Sequence, residues 1–375
     1  MKKYFFAGAT VAVAMVVALS ACGATKNPSS NSSSSTQNQQ ANGSIPVTIS
    51  TDTLASKAKK EGEVHGFGMP GNWADLGKMW HSFSKTYGIT TTYKAEGDMS
   101  SAEELQSFQK EKNRPIGDVG DIGIQFGPTA QKLGVIAPFK NKYWDQIPSN
   151  LKDPNGLWAA AYYGVIGFEV NTDKVKDIPH TWQDLLKPEY KGLIGFGDPR
   201  QGAEEFDAII AAAYTNGGSS QNIKPGIEFF KKLRQSGNWT GTPDGTSVMK
   251  TGQAAITISW NYLSAVDAKQ FNGSPHITTI VPSDSTVAGP YVEVINKYAP
   301  HPYAARLLNT YLFSDAGQIS YAKGGAYPVR LAHLKLPSSV HLPKLNMKSV
   351  HFLTGDFTHA TNQMNTLWSK EVLGQ

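Results

Sequence analysis

One cysteine serves the whole chain of 375 residues, and it stands at position 22. A lone thiol forms no intramolecular disulfide, so a disulfide scaffold is closed to this protein. Lys and Arg number 35 against 30 Asp and Glu, with no block of five or six like charges. That removes the electrostatic footprint of a nucleic-acid binder. The nine histidines are scattered, without an HExxH pair or close Cys/His spacing, and no metal is expected. A phosphate loop ending in lysine, a nucleophile elbow and a cysteine in the folded part are all missing. No enzyme activity and no cofactor are therefore expected.

Long apolar runs are scarce too, and the one present is informative. Residues 4–18 carry no charge and follow Lys2 and Lys3, the order of an export signal. The run is short of the roughly 20 residues a spanning helix needs, although an uncleaved anchor stays open. Leu19-Ser20-Ala21-Cys22 comes next and resembles the lipobox of bacterial lipoproteins, in which the cysteine receives a diacylglycerol and becomes the N-terminus. Cys22 is thus expected to be lipidated, with residues 1–21 as signal peptide. Their loss takes the formal charge from +5 to +3, since they hold two lysines and no acid. The Ser/Asn/Gln/Gly tract over 22–44 buries too little to offset its ordering entropy and reads as a flexible tether.

The length that remains suits two globular units. From residue 47 onward, short apolar strands alternate with helices, the order of an α/β protein. Strands are expected over 64–67, 89–93, 254–260 and 276–282, and a helix over 76–85. Ser100 with Glu103 predicts a capping box. Thr181 with Asp184 opens a helix at "TWQDLL", and Pro225 and Pro302 start two more. The chain is expected to return to its first unit near 292–295, and to end in a helix carrying Ala360, Met364, Leu367 and Trp368.

Four stretches carry a family resemblance: "DVGDIGIQFGPTAQKLGVIAPF" from Asp118, "GFEVNTDKVKDIPHTWQDLLKPEYKGLIGFGDP" from Gly167, "ITISWNYLSAV" from Ile256 and "PHPYAARLLNTYLFSDAGQISYAKGGAYPVR" from Pro300. Over roughly residues 55–335 the chain resembles the extracellular solute-binding proteins of ABC importers, of the type that includes polyamine, ferric-iron, thiamine and aminophosphonate binders. The resemblance implies a two-lobed α/β fold of the type 2 periplasmic-binding-protein class, with a hinge and a ligand cleft between lobes. It implies a first lobe from 45–165 and 286–335, a second from 166–285, and a C-terminal helical segment over 336–375. A small-molecule solute and ABC permease subunits are the implied partners, with the membrane reached through the N-terminal lipid on the extracytoplasmic face; a monomer is expected.

Ligands in such folds sit beyond the carboxyl ends of strands. In "MPGNW", Asn72 offers paired donor and acceptor groups and Trp73 a flat face for a methylene chain or cation. The resemblance to polyamine binders places Gly123, Gln125 and Phe126 at a second ligand loop. In "GDPRQG", Asp198 is a natural N-cap with Pro199 at the first helical position; as ligands, Asp198 suits an amine and Arg200 a carboxylate or phosphonate. Gln201 and Tyr291 stand where polyamine binders use further acids. Trp260 and Asn261 align with an aromatic wall of the cleft. Iron binders use adjacent tyrosines where this chain has Tyr262 and Leu263, and the pair Tyr162-Tyr163 falls on a crossover strand. The reading is a small organic cation or zwitterion, polyamine-like or aminophosphonate-like. A ferric binder, a solute sensor for a kinase and a lipoprotein hydrolase are the alternatives.

Overall fold

The computed structural model describes residues 44–93 and 99–375; the apolar run, Cys22 and nearly all of the tether lie outside the described residues. The first part alternates α1 (Thr51–Glu61), β1 (Glu63–Phe67), α2 (Leu76–Tyr87), β2 (Thr90–Tyr93), α3 (Ser101–Lys110), β3 (Val119–Gly123) and α4 (Gly127–Leu133). Strand β1 runs parallel between β2 and β3, as helical crossovers require. The capping box at α3 is present, with Ser100 and Glu103 satisfying each other's backbone N–H groups.

Strand β4 (Trp158–Asn171) is long and almost wholly buried. There follow β5 (Ile194–Gly195), α5 (Ala203–Thr215), α6 (Lys224–Gln235), α7 (Thr246–Thr251), β6 (Ile256–Trp260), α8 (Asn261–Phe271) and β7 (Ile277–Ile280). The chain then forms β8 (Thr286–Ile295), α9 (Pro302–Leu312), α10 (Asp315–Lys323), β9 (Tyr327–Pro328), β10 (Val350–Phe352) and α11 (Thr358–Leu367), which runs into a π-helical turn, Trp368–Leu373.

Two sheets share β4. Its first half pairs antiparallel with β8 up to Val165, and β8 continues the first sheet through β3. From Ile166 onward β4 pairs with β6 and β7 instead, β6 lying parallel to β5. At the switch, Gly164 stands opposite Gly289. A Cβ at Gly164 would lie 2.6 Å from the Tyr262 ring, and one at Gly289 would collide with Trp260 and Asp207. Only two glycines let these bulky side chains lie on the strand pair.

Local signals overreach at two places. "TWQDLL" forms a single 3-10 turn, Gln183–Leu186, although the Thr181 hydroxyl accepts from Asp184 N–H as a cap does. Pro188 holds Lys187 extended (ψ 141°) and stops propagation. Asp198-Pro199 does not start α5. Asp198 closes a turn, its carboxylate accepting from Arg200 N–H, and Gly202, extended at φ −102°, is the N-cap residue. The C-terminal segment packs on the second part: Trp368 sits edge-on to Phe196 and Phe230, and Lys231 pairs with Glu371 at 2.8 Å.

Candidate functional site

Where the sheets meet, a cavity of about 240 Å³ opens between them. From the side of the first sheet it is lined by Asn72 and Trp73 in the loop after β1, Ser101 at the start of α3, Asp121 on β3 and Tyr291 on β8. From the other side come Glu169 on β4, Glu204 and Glu205 in the first turn of α5, Asp244 just before α7 and Thr246 at its start, Ser259 on β6 and Asp267 on α8. Six of the lining residues are carboxylates, and no Lys, Arg or His is among the described lining residues.

The acids are held individually. Asp121 accepts from the Tyr162 hydroxyl at 2.7 Å, and its other oxygen, buried, has no hydrogen-bond partner. Glu169 accepts from Thr257 at 3.1 Å and likewise leaves one buried oxygen unpartnered. Glu204 accepts from Trp260 N–H at 2.8 Å and from Ser259 at 3.2 Å. Asp244 accepts from Gly197 N–H, and Asp267 from the Thr246 hydroxyl. Glu204 and Glu205 are half-buried, and their open area faces the cavity.

Crowding acids out of bulk water penalises their charged forms. Burial pushes Asp121 up to about 8. Glu169 also rises to about 8, from burial and then from the neighbouring Asp267. Glu204 and Glu205 are raised well above the usual range by burial and then by Asp244, which burial itself raises. Behind the wall, Glu104 accepts from Asp121 N–H at 2.9 Å and Glu293 from the Tyr321 hydroxyl at 2.9 Å, and burial raises both. Such an array becomes fully ionised only around positive charge, and it offers several anionic oxygens to a cation at once.

The sequence-predicted residues divide. Asn72, Trp73 and Tyr291 line the cavity, with Trp73 edge-on to Tyr291. Gly123 sits just behind it, its N–H donating to the Ser101 hydroxyl at 3.1 Å. Trp260 is fully buried and donates to the Tyr291 hydroxyl at 3.3 Å; it backs the wall rather than presenting a face. Asn261 is a brace, accepting from Val165 N–H and donating to the Gly325 carbonyl. Gln125 reaches across to α5, donating to the Ala203 carbonyl at 3.3 Å and to Asp207 at 3.2 Å. Phe126 and Arg200 line a separate cavity of about 280 Å³ that includes Met364. Arg200 is committed to Asp198 and to the Ser369 hydroxyl, and Gln201 is exposed. The pair Tyr162-Tyr163 lies on β4, the strand shared by the two sheets, and both rings are packed against other aromatics. Tyr163 stacks on Tyr327, while Tyr162 stacks on Tyr321 and bonds Asp121.

Residues 116–358 match the family described as bacterial extracellular solute-binding protein. The chain belongs to that family. Among relatives, an uncharacterized protein of Haemophilus influenzae is 27% identical over 216 residues, covering 55% of this chain; the match spans 60% of that relative's length. A putative 2-aminoethylphosphonate-binding periplasmic protein of Salmonella typhimurium is 25% identical, covering 63% of this chain and 68% of its own. In solved structures, the periplasmic binding protein AfuA from Actinobacillus pleuropneumoniae, with fructose-6-phosphate bound, superposes with a TM-score of 0.68 at 22% identity, covering 83% of this chain and 98% of that one. The solute-binding protein described here thus has the two-lobed periplasmic-binding fold, and the acidic cavity is lined by residues from both of its sheets.

Proposed function

We propose that this solute-binding protein captures a small organic cation with at least two ammonium groups and passes it to the permease of an ABC importer. The observation that carries the reading is the cavity lined by six carboxylates and, among the described residues, by no basic one. An alkyl diamine or polyamine places ammonium groups on separate acids and lays its methylenes along Trp73 and Tyr291. A zwitterion is less well served, because Arg200, the cation proposed for its acidic end, lines the other cavity. In this reading, residues 45–165 with 286–335 and residues 166–285 are lobes that close about β4, a ligand-driven shift of a hinge. Cys22 tethers the pair to the outer face of the membrane as a monomer.

The test is thermal unfolding with 1,4-diaminobutane, spermidine, 2-aminoethylphosphonate, thiamine and ferric citrate. Amines are expected to raise Tm; binding only the folded state at a hundredfold excess over Kd stabilises by about 2.7 kcal/mol. A shift with 2-aminoethylphosphonate and none with any amine overturns the cationic reading. The ferric alternative draws on Tyr262, whose buried hydroxyl lacks a hydrogen-bond partner beside Tyr162. A visible charge-transfer band with ferric citrate, abolished by Tyr262→Phe, would favour iron.

A further inference from the structure

At the opening of β1, the end away from the cavity-lining loop, two of the scattered histidines converge on one carboxylate. His65 Nε2 lies 3.1 Å from Glu63 Oε2, and His301 Nε2, just ahead of α9, lies 3.3 Å from Glu63 Oε1. The candidate ligand atoms of the three residues all fall within 4.8 Å of one another. The two rings meet edge to face with centroids 5.2 Å apart.

The far sides of both rings fix their tautomers. His65 Nδ1 is 2.9 Å from the Ile116 carbonyl, which only accepts, so Nδ1 carries the proton. His301 Nδ1 is 2.9 Å from the carboxylate of Asp118, which is fully buried and again an acceptor. Asp118 also accepts from the backbone N–H groups of His65 and His301 at 2.8 and 2.7 Å, locking both rings' backbones together. In the neutral rings, each Nε2 then presents a lone pair to the oxygens of Glu63. Lone pairs facing lone pairs at these separations require something positive between them: two protons or one metal ion. Imidazoles oriented through a carbonyl and a buried carboxylate are the usual outer shell of a histidine metal site.

We propose that Glu63, His65 and His301 form a zinc-type site, two imidazoles and one carboxylate with water completing the tetrahedron, independent of the solute cavity. Its ligands come from β1 and from the segment entering α9, so the ion clasps the early part of the chain to the part that returns after β8. The site is structural: it holds no solute and needs none.

The test uses the full-length protein stripped with EDTA and then given Zn²⁺ alone. One equivalent is taken up at micromolar zinc with a rise in Tm, and saturating 1,4-diaminobutane does not displace it. The double variant His65→Gln/His301→Gln loses that uptake and the Tm rise, while its affinity for the diamine is unchanged. Asp118→Asn weakens zinc by roughly 10- to 100-fold, the range for loss of an orienting partner. X-ray absorption on the zinc-loaded wild-type protein shows two imidazole rings, a readout that stands even if a variant fails to fold. No uptake by the wild-type protein, displacement of zinc by the diamine, or a zinc spectrum without imidazole overturns the proposal.

Discussion

Glu204→Gln sets binding and stability against each other at one side chain. The amide keeps the shape of the carboxylate and an oxygen able to accept from Trp260 N–H and Ser259, the two bonds that hold Glu204 in place. What it removes is one negative charge in the cavity wall. A full unit charge 4 Å from an ammonium at an effective dielectric of 20 is about 4 kcal/mol, an upper bound. Five other carboxylates remain, so the loss is closer to that of one hydrogen bond to a charged group, about 1.5 to 3 kcal/mol. Isothermal titration with 1,4-diaminobutane at pH 8 should therefore show Kd raised roughly 10- to 150-fold. Without ligand the sign reverses. Burial and Asp244 raise Glu204 well above the usual carboxylate range, so its ionised form costs the folded protein stability at pH 8, and the neutral amide should raise Tm in the absence of amine. An unchanged Kd refutes the argument, as does a lower Tm of the free variant with binding intact.

The pH dependence has a definite sign. Asp121 and Glu169 titrate near 8, above their values in the unfolded chain, so the stability linked to them is present below pH 4 and declines as pH rises toward 8. Calorimetry of the ligand-free protein should accordingly show Tm higher at pH 5.5 than at pH 8. Amine affinity moves the other way, strengthening from pH 6 to pH 8 as the acids ionise, and titrations in buffers of different ionisation enthalpy should register proton release. Trp260→Ala should lower stability by about 3 to 5 kcal/mol, measured by urea unfolding, because the ring is fully buried on the Gly164–Gly289 pair; a variant of wild-type stability that has lost only binding would instead make Trp260 a ligand contact. Arg200→Ala should leave diamine affinity unchanged and lower stability by no more than about 1 kcal/mol, and a selective loss of 2-aminoethylphosphonate binding in that variant would restore the zwitterion reading.

Much of the architecture follows from short-range chemistry and is legible in the chain itself. The capping box at Ser100 and Glu103 satisfies backbone donors three residues apart, and the apolar length of β4 marks a strand buried on both faces. The motifs of the solute-binding family are local as well, each lying within a single loop and its flanking elements. Two charged residues inside apolar strands, Asp121 in "DVGDIG" and Glu169 in "VIGFEVN", were the available signal for the cavity, since a buried carboxylate is costly without a partner. Glu204 and Glu205 read as ordinary acids of a first helical turn, and Asp244 and Asp267 carried no signal.

Tertiary structure decided the chemistry of the site. Asp121, Glu169, Glu204 and Asp267 belong to four different elements and Asp244 to the loop before α7, and no spacing along the chain encodes that they share one cavity. Arg200 looked from its neighbours like a cation free for a ligand, but the fold brings Ser369 from the far end of the chain to its guanidinium and leaves it facing another cavity. His65 is two residues from Glu63 on β1, but His301 lies 236 positions beyond His65 and reaches Glu63 only because α9 packs back against β1. Hydrogen-bonded turns and burial periodicity act over a few residues and are written locally. Charge complementarity and metal geometry act through space, and they exist only once distant segments have been packed together.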